Sequence, residues 1–483
     1  MRILPTTALL LVLFAHSTVF AQEAGTSSGG QNQENKTNDS TSATRLLDQE
    51  VPRYLELIAP LTNVNPAAKG AGAPPRLVVK QDEAEKANQG ERVAKLNPVD
   101  TAETNSSATT ETASIDDKKN TEGALAPADE KADETDSAAI ESHYDYLGSP
   151  MDVAELGELR AHVRRTLIYY YQRPESANTR SPWGIMHALI GFGVDTQIGA
   201  GREKVNAIGW LCWNGSCRGQ RLFSLANQGM TVNVGPGVQG HTGQFLSMLA
   251  QSRVPEDFEI RIQGRAFTVA DLIAYEQATC RPRTELTFKL IGLSHYLPSD
   301  AEWTSNDGQK WTIARLIEEE LAQPVVGAAC GGTHRLMGLT YAVKNRVDEG
   351  KPLDGQWQRA QLFLEDFQKY TLGLQNPDGS FSTKWFERRE ARTDSQRRVQ
   401  TTGHILEWLI CTLPEDQLTS PEVVKAVAYL SNLMYRERGT DWSIGPKGHA
   451  IHALNLYDQK VFGAKMGQGG PRMQWEEAET VSR

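Results

Sequence analysis

The feature that most constrains this chain is a sequence pattern that recurs along its C-terminal two thirds. Segment 264–273 (GRAFTVADLI) matches segment 308–317 (GQKWTIARLI), which begins 44 residues later. In each copy a threonine, Thr268 or Thr312, precedes apolar residues at helical spacing, which predicts a helix capped by the threonine side chain. Helical segments that repeat at such a period are expected to stack around a shared core.

A second helical segment accompanies the first and is apolar on nearly all sides. Its clearest copies are 287–294 (TFKLIGLS) and 333–340 (THRLMGLT), and others begin near residues 187, 242, 402 and 452. A helix that is apolar all round is expected to be buried on both sides. Amphipathic partners are predicted at about 153–172, 217–228, 268–279, 311–323, 356–374 and 421–437.

Six amphipathic helices that alternate with six buried ones predict an all-α domain over residues 146–465. We expect the six helix pairs to close into an (α/α)6 toroid, with an open solenoid as the alternative arrangement. The run 370–381 (YTLGLQNPDGSF) resembles the Q-x-x-D-G-x-W/F repeat signature of the terpenoid cyclase and protein prenyltransferase toroid superfamily. The resemblance implies that a glutamine and an aromatic residue tie the end of one outer helix to the next inner helix.

The superfamily's catalytic motifs are absent from this sequence. It has no D-x-D-D motif like that of class II terpene cyclases, and it lacks the usual Asp and Asp-x-Cys zinc ligands of protein prenyltransferases. The resemblance therefore implies a fold rather than an activity.

The residues before the helical domain predict export. Arg2, the apolar run 8–14 and the small residues of 19–21 are typical of a cleavable signal peptide over residues 1–21. Residues 22–145 are polar and acidic, which predicts a disordered tether, and residues 466–483 are expected to form a flexible tail. With no second long apolar stretch, the sequence predicts no transmembrane segment and a secreted or periplasmic location.

The charge balance bears on partners. A net charge of -10 argues against nucleic acid. A long insertion before the fifth buried helix is rich in arginine, which favours an anionic polysaccharide or another envelope component as the ligand. The predicted ligand-binding residues are Arg388, Arg389, Arg392, Trp183 and Trp442.

One position of the buried-helix repeat is rich in histidine. It holds, in chain order, His187, Gln244, Phe288, His334, His404 and His452. Equivalent positions should point to the same end of a ring, so His334 and His404 are the leading acid/base candidates, with His187 and His452 in support. The alternative is structural, with each imidazole bonding a carbonyl of its own repeat.

Cys330 precedes His334 by four residues, so the two can share a helix face. With His404 or His452 they could form a zinc site of mixed Cys/His type, although the sequence by itself favours the absence of a cofactor. Two other interpretations of Cys330 stay open: a thiol nucleophile paired with histidine, and a small packing residue beside Gly331 and Gly332. Cys212 and Cys217 are spaced for one small disulfide loop.

These features support two hypotheses of different kinds. The first is a polysaccharide-active enzyme, a lyase or hydrolase, that works by histidine chemistry in the central cavity of the ring. The second is a non-catalytic envelope or extracellular binding domain carried on a flexible tether.

Overall fold

A computed structural model describes residues 144–227 and 229–467 of the chain. The signal peptide, nearly all of the predicted tether and most of the predicted tail lie outside these residues. The described part is mostly helical, as predicted, and none of its helices is both long and apolar enough to cross a membrane. Its α-helices are α1 Gly157–Tyr171, α2 Pro182–Phe192, α3 Ala207–Cys212, α4 Gln244–Gln251, α5 Val269–Ala278, α6 Thr287–Tyr296, α7 Ile313–Leu321, α8 Thr333–Asp348, α9 Gly355–Gly373, α10 Ser395–Thr412, α11 Pro421–Arg436 and α12 Ile444–Phe462.

Four short antiparallel hairpins interrupt the helices, and the all-α prediction missed them. They pair β1 Gln197–Ala200 with β2 Glu203–Asn206, β3 Phe223–Ala226 with β4 Gly229–Val232, β5 Glu259–Ile262 with β6 Arg265–Thr268, and β7 Glu302–Thr304 with β8 Lys310–Thr312. Three of the second strands end on the residue that caps the next helix. The side chains of Thr268 and Thr312 accept from the backbone N–H groups of Asp271 and Arg315, which confirms both predicted caps.

The helix predicted at 217–228 is wrong. The outer helix of this repeat is α3, which begins at Ala207 after the cap residue Asn206. Arg218 and Gly219 follow with φ of 49° and 81°, and the left-handed conformation turns the chain into β3 instead of a helix. Cys212 and Cys217 are free thiols, as are the other three cysteines, so the predicted disulfide is not present.

The even-numbered helices pack side by side in chain order. Contacts join α2 to α4, α4 to α6, α6 to α8, α8 to α10, α10 to α12, and α12 to α2. These helices are buried on nearly all sides, as predicted; in α4 every residue from Gln244 to Ala250 is buried. The odd-numbered helices pack on the outside of them, for example α9 on α8 and α11 on α10.

Glycines allow neighbouring even-numbered helices to approach closely. A Cβ added at Gly292 of α6 would lie 2.8 Å from Leu246 Cγ of α4. At Gly338 of α8 it would lie 3.0 Å from the Thr287 carbonyl oxygen, and at Gly448 of α12 only 2.0 Å from the His187 carbonyl oxygen. The glycines therefore set the distances at which the side chains of the inner helices meet.

In segment 370–381 the glutamine contacts the next outer helix rather than the next inner helix, and Phe381 makes the contact to the inner helix. Gln375 Nε2 donates to the Gly379 carbonyl oxygen at 3.0 Å and to that of Glu422, in the first turn of α11, at 2.9 Å. Phe381 is fully buried, and its backbone N–H donates to Thr402 Oγ1 of α10 at 3.1 Å. One loop thus joins the end of α9 to both helices that follow.

Candidate metal centre

Cys330, His334 and His404 come together among the inner helices. Cys330 Sγ and one ring nitrogen of each histidine all lie within 4.8 Å of one another. His334 lies in the first turn of α8 and His404 in the middle of α10, whereas Cys330 lies in the 3-10 turn Ala329–Gly332 rather than on α8 itself. The predicted set is therefore assembled by a turn and two helices.

The turn that carries Cys330 has an unusual backbone. Cys330, Gly331 and Gly332 have φ of 50°, 68° and 85°, so three successive residues are left-handed. This conformation costs a cysteine on the order of 1 kcal/mol. Added Cβ atoms at Gly331 and Gly332 would lie 2.3 Å from the Trp385 ring and 2.3 Å from the Val325 carbonyl oxygen. Only glycines fit these two positions, and they hold the thiol at the start of α8.

The histidines present the chemical form that a metal requires. His404 Nδ1 lies 2.7 Å from the Gln400 carbonyl oxygen and donates to it, which leaves Nε2 as the electron-pair donor. Burial, and then the nearby His449, hold the pKa values of His334 and His404 well below the ordinary value. Both imidazoles are therefore neutral, as ligands must be.

Burial, followed by the charges of Glu407 and Glu285, raises the pKa of the Cys330 thiol to about 11. A protonated thiol is a poor nucleophile, so the geometry does not favour the interpretation of Cys330 as a nucleophile. A divalent cation beside the sulfur would reverse this balance, because a coordinating thiol is deprotonated. The site therefore fits a metal ligand better than a covalent catalyst.

Sequence reasoning missed the carboxylate at the base of this cluster. Glu407 Oε2 lies 2.7 Å from His449 Nδ1, and its Oε1 lies 2.5 Å from His452 Nδ1. Burial raises the pKa of Glu407, but the two histidines outweigh this effect, and the net pKa lies well below the ordinary value. The signal available in the sequence was the pair of histidines three residues apart on α12, which share one helix face.

His449 occupies the middle of the cluster. Its ring centroid lies 3.9 Å from that of His404, 5.0 Å from that of His334 and 5.6 Å from that of His187. His449 was not among the predicted catalytic residues, because it lies three residues before His452, the residue that aligns with the histidines of the other buried helices. The buried, negatively charged Glu407 orients the His449 ring from behind.

The other two predicted catalytic histidines lie one step further from the possible ligands. His187 Nδ1 lies 2.7 Å from the Trp183 carbonyl oxygen, and burial followed by His449 lowers its pKa to about 3. His452 reaches the cluster only through Glu407. The structural alternative thus describes two of the four predicted histidines, because His187 and His404 each bond a carbonyl four residues earlier in the chain. The rings of both residues also contact the ring of His449.

The predicted ligand-binding arginines are engaged elsewhere. Arg388 and Arg392 are exposed and lie 3.8 and 2.9 Å from Glu390, in their own loop. Arg389 donates to the Gly373 carbonyl oxygen. Their local pairing with Glu390 reduces the positive charge on which the prediction depended.

The two predicted tryptophans have different surroundings. Trp442 is 1% exposed, and its indole N–H donates to Tyr170 Oη at 3.0 Å, so it is a core residue rather than a ligand contact. Trp183 packs against His187 with ring centroids 4.0 Å apart. Of the five residues predicted to bind a ligand, Trp183 is the one that borders the histidine cluster.

A pocket of about 220 Å³ lies beside the Cys330 turn and is lined by Gly331, Trp385, Phe386, Arg397 and neighbouring residues. Trp385 separates it from the cluster, because one face of this residue contacts Gly331 and its ring lies 5.5 Å from that of His404.

Comparison of the chain with protein-family models, curated proteins and solved structures yields no match.

Proposed function

We propose that the protein is an exported, zinc-dependent, polysaccharide-active enzyme built on an (α/α)6 toroid. The contact between α12 and α2 supports the toroid, because it joins the last inner helix to the first. The metal centre would then lie inside the ring, where it is screened from bulk water. Export and the polysaccharide substrate rest on the sequence features described above.

The observation that carries this proposal is the convergence of Cys330, His334 and His404 within 4.8 Å. One thiolate and two imidazoles are ligands that zinc accepts, and three protein ligands with one open position are typical of catalytic rather than structural zinc. Zinc in such a site supplies Lewis acidity toward a bound oxygen atom of the substrate. His449, oriented by Glu407, lies beside the ligands as the candidate group for proton transfer.

A second candidate function is a non-catalytic binding domain in which the same ion is structural. It is favoured by the burial of His404 and by the way the ligands connect the turn before α8 to α10. A structural ion contributes folding free energy directly, whereas a catalytic one contributes less. The two candidates therefore differ in what metal removal does to stability.

The test is the zinc content of the full chain purified without chelator, measured by inductively coupled plasma mass spectrometry. We expect about one zinc per chain, and loss of most of it in Cys330→Ser and His404→Ala. Cys411→Ser is the matched control, because Cys411 is also a free, partly buried thiol but is not in the ligand group. Cobalt substitution should give a thiolate-to-cobalt charge-transfer band that disappears in Cys330→Ser and remains in Cys411→Ser.

Thermal unfolding before and after metal removal separates the two candidates. A catalytic centre predicts loss of chelator-sensitive turnover of acidic polysaccharides with a small change in Tm. A drop in Tm of 10 °C or more on metal removal, without turnover, would favour the binding domain. Metal-free protein under all loading conditions would contradict both forms of the proposal.

A further inference from the structure

Three exposed arginines and two tyrosines alternate on the outer surface formed by α1 and α11. The Arg173 guanidinium lies 3.7 Å from the centroid of the Tyr169 ring. Arg438 lies 5.9 Å from the same ring and 4.6 Å from that of Tyr435, and Arg165 lies 5.2 Å from the Tyr435 ring. We call this row, Arg173–Tyr169–Arg438–Tyr435–Arg165, the arginine–tyrosine ladder.

The ladder arginines have no acidic partner in the described part of the chain. Among the described residues, no carboxylate lies within ion-pair distance of any of the three, and the nearby Glu437 pairs with Arg436 instead. Arg173 and Arg438 each donate one N–H to the backbone carbonyl oxygen of a ladder tyrosine. Since a guanidinium has five N–H donors, most of them are left for a ligand.

Contact with the tyrosine rings orients these arginine side chains before they bind an anion. A guanidinium held over an aromatic ring loses less conformational freedom when it binds, and its planar fork matches a carboxylate in a bidentate geometry. The ladder tyrosines are only half-buried, so their rings can also contact the apolar face of a sugar. Alternating carboxylates and sugar faces are what a linear polyuronate presents.

The ladder lies at the end of the domain where the inner helices begin. Tyr170, next to Tyr169 on α1, donates to the Met434 carbonyl oxygen of α11 and accepts from Trp442, two residues before α12. The second turn of α12 then carries His449, at the centre of the histidine cluster. A polymer bound along the ladder would therefore lie close to the end from which α12 enters the candidate metal centre.

We propose that the arginine–tyrosine ladder binds the carboxylates of a linear acidic polysaccharide and delivers that polymer to the metal centre. The delivery step rests on the proposed function, whereas the binding step does not. This location replaces the arginines of the 385–398 insertion, which are paired with their own glutamate.

The experiment is retardation of the full-length protein by polygalacturonate in affinity electrophoresis at low salt. We expect Arg173→Gln/Arg438→Gln to weaken binding about 10-fold or more. Arg388→Gln/Arg392→Gln also removes two positive charges, but from a different exposed site, and should change binding less than about 2-fold. Tyr169→Leu/Tyr435→Leu keeps every charge and should still weaken binding, because the guanidinium groups lose their stacking partners.

Zinc is measured in the same samples, so that failure of the two proposals can be told apart. Ladder variants that lose polygalacturonate binding but keep their zinc support a separate polymer site. Equal losses in the ladder and control double variants would overturn the proposal, as would a wild-type protein that polygalacturonate does not retard. Equal competition by a DNA duplex would show nonspecific charge attraction and would overturn it as well.

Discussion

The helix pairs α5–α6 and α7–α8 are two copies of one sequence pattern. Comparing them distinguishes the residues that build the fold from the residues that belong to the candidate metal centre. In each copy a hairpin ends on the threonine that caps the outer helix, and a glycine of the inner helix contacts the preceding inner helix. At the position equivalent to Phe288 in the first copy, the second has His334, whose ring lies 5.0 Å away. Under the proposed function, a single position thus changes from packing to ligation.

Each copy also contains a buried ion pair between its two helices. Lys289 Nζ lies 2.5 Å from Glu276 Oε2, and Arg335 Nε lies 2.9 Å from Glu320 Oε2, with all four side chains at most 6% exposed. Glu320 additionally accepts from the Leu286 backbone N–H and from Thr287 Oγ1 of the preceding copy, at 2.8 and 2.6 Å. The second glutamate therefore joins neighbouring repeats, whereas the first acts within its own.

The largest effect is expected when one side of these ion pairs is removed. Lys289→Met and Arg335→Met each leave a buried glutamate without its cation, which should lower the free energy of unfolding by about 3–5 kcal/mol. Urea unfolding checks this directly. We expect Arg335→Met to lower zinc content as well, because it disturbs the residue next to His334, whereas Lys289→Met should not.

The control removes the charge together with its partner. Lys289→Met/Glu276→Leu should recover most of the lost stability, since an apolar pair of similar volume avoids the unpaired charge. A double variant as unstable as Lys289→Met alone would mean that packing volume, rather than the uncompensated charge, explains the loss.

The next prediction makes the second copy resemble the first. His334→Phe should lower zinc affinity by at least about 100-fold, or roughly 3 kcal/mol, because it removes one of three ligands. Unfolding of the metal-free protein should change by less than about 1 kcal/mol, since Phe288 shows that the repeat accepts this ring. Zinc titration against a chromogenic chelator measures the first effect and urea unfolding the second.

Phe288→Leu is the matched variant, because it alters the equivalent position without removing a ligand. It should keep the zinc affinity of the wild type. If Phe288→Leu and His334→Phe weakened zinc binding equally, the effect would come from repacking of the two rings, and His334 would not be a ligand.

The sequence allowed the repeated parts of this domain to be predicted better than the parts that occur once. Threonine caps and doubly buried helices follow from local patterns, so Thr268, Thr312 and the inner helices were found. The Cys330 turn depends on packing against Trp385, which is distant in sequence, and no local pattern indicates three successive left-handed residues. Glu407 was missed for a similar reason, because its partners His449 and His452 lie 42 and 45 residues further along the chain, on α12.

The same limit explains the missed hairpins and the misplaced helix. Strands of three or four residues directly before a helix cap give too few alternating positions to be distinguished from the start of the helix. The segment 217–228 has a helix-compatible composition, but the turn at Arg218 and Gly219 redirects the chain. The predicted ligand arginines stay a prediction; the structure adds that Arg388 and Arg392 both lie beside Glu390, which spacing along the chain does not show.

The smallest expected effect compares the glycines that set the spacing of the two copies. A methyl group at Gly338 meets the Thr287 carbonyl oxygen at 3.0 Å, whereas at Gly292 the nearest atom is the side-chain Cγ of Leu246 at 2.8 Å. A side chain can rotate away more easily than a helix backbone can move, and both substitutions gain about 1 kcal/mol of helix propensity. We therefore expect Gly338→Ala to destabilise the protein by about 1–2 kcal/mol in urea unfolding and Gly292→Ala by less than 1 kcal/mol. The opposite order would mean that α6 and α8 adjust their separation more readily than the Leu246 side chain changes rotamer.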